Sequence, residues 1–314
     1  MPLDPQVQVI LDLVKTMNMP AWETLTPQEL RAMPRQDIGA PEAVALVDDR
    51  TAPGPAGDIP VRVYRPTHAA SQPALVFFHG GGFVFGDIES HDMTCRALAN
   101  ASGCVVVSVG YRLAPEHKYP AAADDCYAAT AYVAAHPDDF GIDPSRIAVG
   151  GDSAGGNLAA VVSQMARDRG GPSIAFQLLV YPVTDHNFET ASYRDNAEGY
   201  LLTTNAMRSL WAHYLNDASD GAQPYASPLR ASDLRGLPSA LVITAEYDPL
   251  RDEGEAYAKA LQAAGVPVTL HRYDGMIHGF YQMFPMLAAG RAAIDESAAA
   301  LRKALAVTGE RLEV

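Results

Sequence analysis

Cysteine is scarce in this chain: Cys95, Cys104 and Cys126 are the three present in 314 residues. An odd number without C-x-x-C spacing or a nearby His pair excludes a disulfide framework, and no metal site is visible. All three lie in or beside apolar segments, so they are expected to be reduced, buried thiols of an intracellular protein. Positive charge is also in deficit, with 23 Lys plus Arg against 37 Asp plus Glu and a formal net charge of -14. No basic run offers a surface to nucleic acid or anionic membrane, so neither is expected as a partner, and strongly anionic substrates are disfavoured. No apolar run is long enough to span a bilayer. The first residues, MPLDPQVQVILDLVKTMN, lack a basic leader and place Asp4 and Asp12 in and around their apolar positions, unlike a secretory signal. Together these absences lead to the expectation of a soluble, cytoplasmic protein.

What is abundant is apolar sequence, 48% of the chain, which is ample for a core without covalent staples. Val7, Ile10, Leu11, Val14 and Met17 recur at helical spacing and predict an amphipathic N-terminal helix. Thr26-Pro27-Gln28-Glu29 announces a second, with Thr26 as cap, Pro27 at the first helical position and Glu29 completing a capping box. TAPGPAGDIP, around Gly54 and Gly57, reads as a turn-rich boundary. Beyond it, strands are expected at Ile59 to Tyr64, Ala74 to Phe78, Cys104 to Val109, Ile147 to Val149, Phe176 to Tyr181, Leu241 to Ala245 and Val268 to Tyr273. Helical patterns fill the intervals Ala121 to Ala135, Gly155 to Arg169 and Gly254 to Ala264. Strands that alternate with helices, several of them apolar throughout, imply an α/β fold with a mostly parallel sheet covered on both faces. Sites in such sheets form at the carboxyl ends of the strands.

Between Thr184 and Leu237 the alternation stops, leaving one helical pattern at Met207, Leu210, Trp211 and Tyr214. A structureless loop of that length is unusual inside a compact domain, so the segment reads as an inserted lid. The chain is therefore divided into N-terminal helices over residues 1–50, a first part of the core over 51–183, the insertion over 184–237 and a second part of the core over 238–314.

Gly150 to Asn157, GGDSAGGN, places Ser153 between an apolar strand and a small-residue helical start. A sharp strand-to-helix turn brings backbone close on both sides of its apex, where side chains larger than glycine would collide; Gly151 and Gly155 clear that space and Gly156 lets the helix pack closely. A serine hydroxyl needs a base to take its proton and a third group to orient the base. Among nine histidines, His79 sits in a glycine loop and His271 lies within a strand, whereas His278 stands just past the last expected strand. The strand Leu241 to Ala245 ends in Glu246-Tyr247-Asp248-Pro249, which offers two acids. Pro249 would fix the loop at Asp248, and Glu246 is the competitor. Phe78-His79-Gly80-Gly81-Gly82-Phe83 runs a strand into three glycines whose amides can converge on one atom, and the amide of Ala154 completes an oxyanion hole.

HGGGF at His79 to Phe83, YRLAPEHKYPAA at Tyr111 to Ala122, GDSAGGNLA at Gly151 to Ala159, YDPLRDE at Tyr247 to Glu253 and HGF at His278 to Phe280 together resemble the hormone-sensitive-lipase-like carboxylesterases, bacterial family IV, of the α/β-hydrolase superfamily. The resemblance implies an eight-stranded hydrolase sheet under a helical cap, built from the N-terminal segment and the insertion. It implies Ser153 as nucleophile, His278 as base, Asp248 as orienting acid and Gly81, Gly82 and Ala154 as oxyanion donors, with Gly80 shaping the turn and His79 bracing the loop. It further implies an ester as substrate and a homodimer formed through an edge strand; acyl transfer through serine needs no cofactor, and a cap over the site leads to the expectation of a small-molecule ester with short- to medium-chain acyl groups. Phe83, Asp152, Met207, Trp211, Met276 and Ile277 are candidate pocket residues. An amidase or carbamate hydrolase would use the same elements, and a non-catalytic small-molecule receptor on this fold would lack His278.

Overall fold

The computed structural model describes residues 2–34 and 39–307. Among these residues are eight strands: β1 (Leu46–Gly54), β2 (Gly57–Arg65), β3 (Gln72–Phe78), β4 (Val105–Val109), β5 (Ile142–Asp152), β6 (Phe176–Val180), β7 (Ser239–Tyr247) and β8 (Val268–Ile277). They form one sheet in the order β1-β2-β4-β3-β5-β6-β7-β8. From β4 to β8 every neighbouring pair is parallel, while β2 runs antiparallel to both β1 and β4. The helices are α1 (Pro5–Thr16), α2 (Pro27–Arg31), α3 (Asp92–Ser102), α4 (Ala121–Ala135), α5 (Pro137–Phe140), α6 (Ala154–Arg169), α7 (Ala191–Asp195), α8 (Thr204–Tyr214), α9 (Arg251–Ala263) and α10 (Ala288–Ala304).

Strand periodicity sorts the core into two halves. Ala74, Val76 and Phe78 of β3 belong to one cluster with residues of α4, α6 and α9, while Leu75 and Phe77 belong to another with α1, α3 and α10. Both faces of the central strands are therefore covered, which is why they read as continuous apolar runs. Cys95, Cys104 and Cys126 are free and buried in this interior.

The capping box expected at α2 is present in both directions, Thr26 to Glu29 and back. Arg31, at the end of that helix, forks onto Glu116 at 2.9 and 2.7 Å and also donates to the carbonyls of Val84 and Ala114. The short N-terminal helix is thereby tied to the loop that follows β3. Within residues 184–237, α8 buries Met207, Leu210, Trp211 and Tyr214 on one face, as its spacing predicted. Leu229 N–H donates to the carbonyl of Thr184 at 3.0 Å, tying the start of that segment to its later part.

β1 departs from the expectation of a turn-rich boundary. Its sequence, LVDDRTAPG, carries residues that are depleted in strands, and Ala52 is its one buried position. It is an edge strand held by its hairpin partner: Asp49 stands opposite Arg62, and their side chains meet at 2.6 Å. The expected turn contracts to the tip between Gly54 and Gly57, and the sheet begins at Leu46, inside the segment assigned to the N-terminal helices.

Candidate active site

β3, β5, β7 and β8 all end at the same edge of the sheet, and the candidate residues sit on the loops that leave them. Ser153 lies between β5 and α6 with φ 57° and ψ −118°, a backbone conformation costly for any residue with a side chain. Its amide donates to the carbonyl of Val180 at 2.9 Å, which fixes the turn against β6. The flanking glycines are demanded by this geometry. A Cβ on Gly151 or on Gly155 would run into the carbonyl oxygen of Phe78, and one on Gly156 would stand 2.9 Å from the Cβ of Pro182.

His278 follows β8 directly. Its Nδ1 is 2.7 Å from Asp248 Oδ2, and its Nε2 is 3.0 Å from Ser153 Oγ. Asp248 follows β7, is fully buried, and takes a hydrogen bond on Oδ1 from the Leu250 amide at 2.8 Å. The Asn196 side chain, just past α7, donates to the Asp248 carbonyl at 3.2 Å. The ring of Tyr181 packs against the imidazole of His278 at a centroid distance of 4.5 Å. A carboxylate can only accept, so the Nδ1 proton of His278 belongs to that bond and Nε2 presents its lone pair to the serine hydroxyl. Glu246, the competing acid, points elsewhere: its Oε2 accepts from the Gly275 amide at 2.7 Å and braces the loop ahead of His278.

The glycine loop after β3 is clamped from behind. Gly80 N–H donates to Asp152 Oδ1 at 3.0 Å and lies 3.2 Å from His91 Nε2. Tyr111 donates its hydroxyl to the carbonyl of His79 at 2.7 Å and stacks on the His79 ring. Burial, aided by the neighbouring His91, pushes His79 down to about 4, so it is neutral at pH 7. Gly81 and Gly82 take φ of +118° and +57°, and a Cβ on Gly82 would press on Leu210. Their amides carry no hydrogen bond among the described residues, and Ala154, as the first residue of α6, has an amide with no intrahelical acceptor.

Ser153, His278, Gly81 and Gly82 line one cavity of about 410 Å³, a size typical of small-molecule sites. Met207 is on its wall as expected. So is Asp152, but that carboxylate is occupied by Gly80, His91 at 3.0 Å and Gln282 at 2.6 Å. Burial works to raise the Asp152 carboxyl, but His91 and the hydrogen bonds from His91 and Gln282 outweigh it and leave the group below its ordinary value. Phe83, Trp211, Met276 and Ile277 are not brought to the wall. Phe83 stacks face to face on Tyr214 at 3.8 Å, Trp211 is buried beside His186, and Met276 and Ile277, the last two residues of β8, are part of the core. Their apolar character serves packing. The wall instead includes Trp22, Phe85, Leu201 and Leu210, together with Met283 and Gln282. The first of these comes from the N-terminal segment, whose distance in sequence hid its place at the site. For Gln282, nothing in the sequence marks it, beyond its position shortly after His278.

A sheet of this order, with a serine on the turn after β5, a histidine after β8 and an acid after β7, defines an α/β-hydrolase. A protein family described by the alpha/beta hydrolase fold matches residues 75–282. The chain is 47% identical over 311 residues to the carboxylic ester hydrolase LipN of Mycobacterium tuberculosis, covering 96% of this chain and 82% of that one. It is 37% identical to an arylesterase of Saccharolobus solfataricus, over 89% of this chain and 92% of the relative. The crystal structure of a thermostable esterase from Pseudomonas putida superposes with a TM-score of 0.92 at 43% identity, over 98% of this chain and 99% of the other. The chain belongs to this alpha/beta hydrolase family, among its hormone-sensitive-lipase-like, family IV members. Among the described residues, no helix is long and apolar enough to cross a membrane.

Proposed function

We propose that the protein is a carboxylesterase that cleaves short- to medium-chain acyl esters through an acyl-enzyme on Ser153. The observation that carries this reading is the position of His278, within hydrogen-bond reach of both Ser153 and Asp248 on a cavity that Gly81 and Gly82 share. Ser153 Oγ attacks the ester carbonyl as its proton passes to His278 Nε2, and Asp248 stabilises the imidazolium that forms. The negative oxygen of the tetrahedral intermediate takes hydrogen bonds from the amides of Gly81, Gly82 and Ala154. Such donors stabilise the transition state by about 3 kcal/mol each. The alcohol departs with the proton from His278. Water, deprotonated by the same nitrogen, then attacks the acyl group and returns Ser153 to its starting state.

The N-terminal helices and residues 184–237 act as the cap in this reading, supported by the presence of Trp22, Met207 and Leu210 on the cavity wall. A largely apolar wall suits the acyl and alcohol parts of a neutral ester, and among the described residues no lysine or arginine lines it to receive a carboxylate. Three buried thiols without a disulfide support a cytoplasmic place of action. A homodimer would form through an edge strand of the sheet, β1 or β8. Turnover of p-nitrophenyl acetate and butyrate by the purified protein, beside the matching anilides, tests the reading. Esters are expected to be cleaved at far higher rates than anilides, and inertness toward every ester would overturn it.

A further inference from the structure

The catalytic cavity has a neighbour on the other side of Trp22. A second cavity of about 220 Å³ lies between the N-terminal segment and α8, walled in part by Leu11 and Val14 of α1, Pro20 and Ala206 of α8. Among the described residues, Trp22 and Leu201 alone belong to the walls of both cavities. The indole is half-buried and packs edge-on against Phe85, itself on the catalytic wall, at a centroid distance of 5.4 Å. One aromatic side chain thus stands between the space that holds Ser153 and a smaller, mainly apolar space that does not.

We propose that this second cavity is a subsite for the distal end of a linear alkyl chain, and that Trp22 is the partition that sets how far such a chain reaches. The inference rests on the carboxylesterase reading. Ser153 and His278 line the first cavity alone, so the ester carbonyl stays there and only the tail of a long substrate passes Trp22. The tail is alkyl because the second wall is mainly aliphatic. Its charged members are Lys15, whose ammonium is turned to solvent beside Asp12 at 3.7 Å, and Glu23, of which one carboxylate oxygen is buried with no partner among the described residues. Each methylene that moves from water into such a space is worth about fourfold in binding or in kcat/KM. A partition therefore produces a steep fall in kcat/KM once the chain outgrows the first cavity.

The test uses the full chain and two substrate series: p-nitrophenyl esters with acyl groups from acetate to dodecanoate, and acetates of linear alcohols over the same lengths. Trp22→Ala and the milder Trp22→Leu are compared with wild type by kcat/KM at each length. In the series whose chain lies on the Trp22 side, both variants are expected to move the optimum to longer chains, with a gain of up to about fourfold for each added methylene beyond the wild-type optimum. Adding Val14→Phe, which narrows the second cavity from α1, is expected to pull the optimum back. An unchanged optimum in both series for both variants would overturn the partition, as would a shift that Val14→Phe leaves in place. Failure of the wild type to cleave any member of either series would instead defeat the carboxylesterase reading.

Discussion

Two strings of serine, histidine and aspartate border the same cavity, and we assign the chemistry to one of them. In the first, Ser153 Oγ, His278 and Asp248 are linked at 3.0 and 2.7 Å. In the second, Ser90 Oγ lies 2.9 Å from His91 Nδ1, and His91 Nε2 lies 3.0 Å from Asp152 Oδ1. Both serines are on the cavity wall, and both aspartates are buried. The difference lies in what else each group touches. Ser90 has spent its single proton on the carbonyl of Asp87 at 2.8 Å. Asp152 also holds Gly80 and Gln282, so the second string anchors the glycine loop. Ser153 instead stands on a strained turn beside amides that have no partner among the described residues. A hydrogen-bonded Ser-His-Asp sequence does not define a nucleophile; the commitments of its end groups do.

The sharpest way to break this comparison is to exchange the serines. Ser153→Ala is expected to lower kcat for p-nitrophenyl butyrate by about 10⁶-fold, and Ser90→Ala by no more than about fivefold. The acids give the next largest contrast. Asp248→Asn leaves His278 in the wrong tautomer and is expected to cost about 10⁴ in kcat. Glu246→Gln, which touches the Gly275 amide and not the histidine, should remain within about fivefold of wild type in the same assay. Asp152→Asn falls between these limits: it loosens the Gly80 anchor without removing a reacting group, for an expected loss of about 10–10² in kcat with KM little changed.

The smallest effect is on stability. His79 takes up a proton near pH 4 in the folded protein, whereas the unfolded chain does so near its ordinary value of about 6.5. As pH falls through that window the unfolded state binds the proton first. The contribution of a neutral His79 is therefore complete above about pH 6.5 and is lost progressively toward pH 4. Thermal melts over this range should show Tm falling with pH, and His79→Gln should flatten that slope.

The first string was legible in the sequence because each member carries a local signature. Ser153 has its glycines, and Asp248 and His278 each follow an apolar strand. Gly81 and Gly82 were legible for the same reason: a strand runs straight into them. The second string has no such mark. His91 sits in a turn ahead of α3 and Gln282 in one after His278, and only folding brings them to Asp152. Asp152 was placed at the pocket, but its work there is to hold the loop. β1 was missed because hairpin pairing overrides the poor strand propensity of Asp48, Asp49 and Pro53. Phe83 and Trp211 were drawn to the pocket by their size and position, yet both are needed to fill the interior under α8. Periodicity can find a buried face without telling which neighbour covers it.

The most direct measurement is to label the protein with a p-nitrophenyl alkylphosphonate, which stays on the attacking oxygen, and to locate the adduct by peptide mass spectrometry. A single adduct on Ser153 is expected in wild type and in Ser90→Ala, and none in Ser153→Ala. An adduct on Ser90, or labelling that survives Ser153→Ala, would contradict the assignment of the nucleophile to the first string.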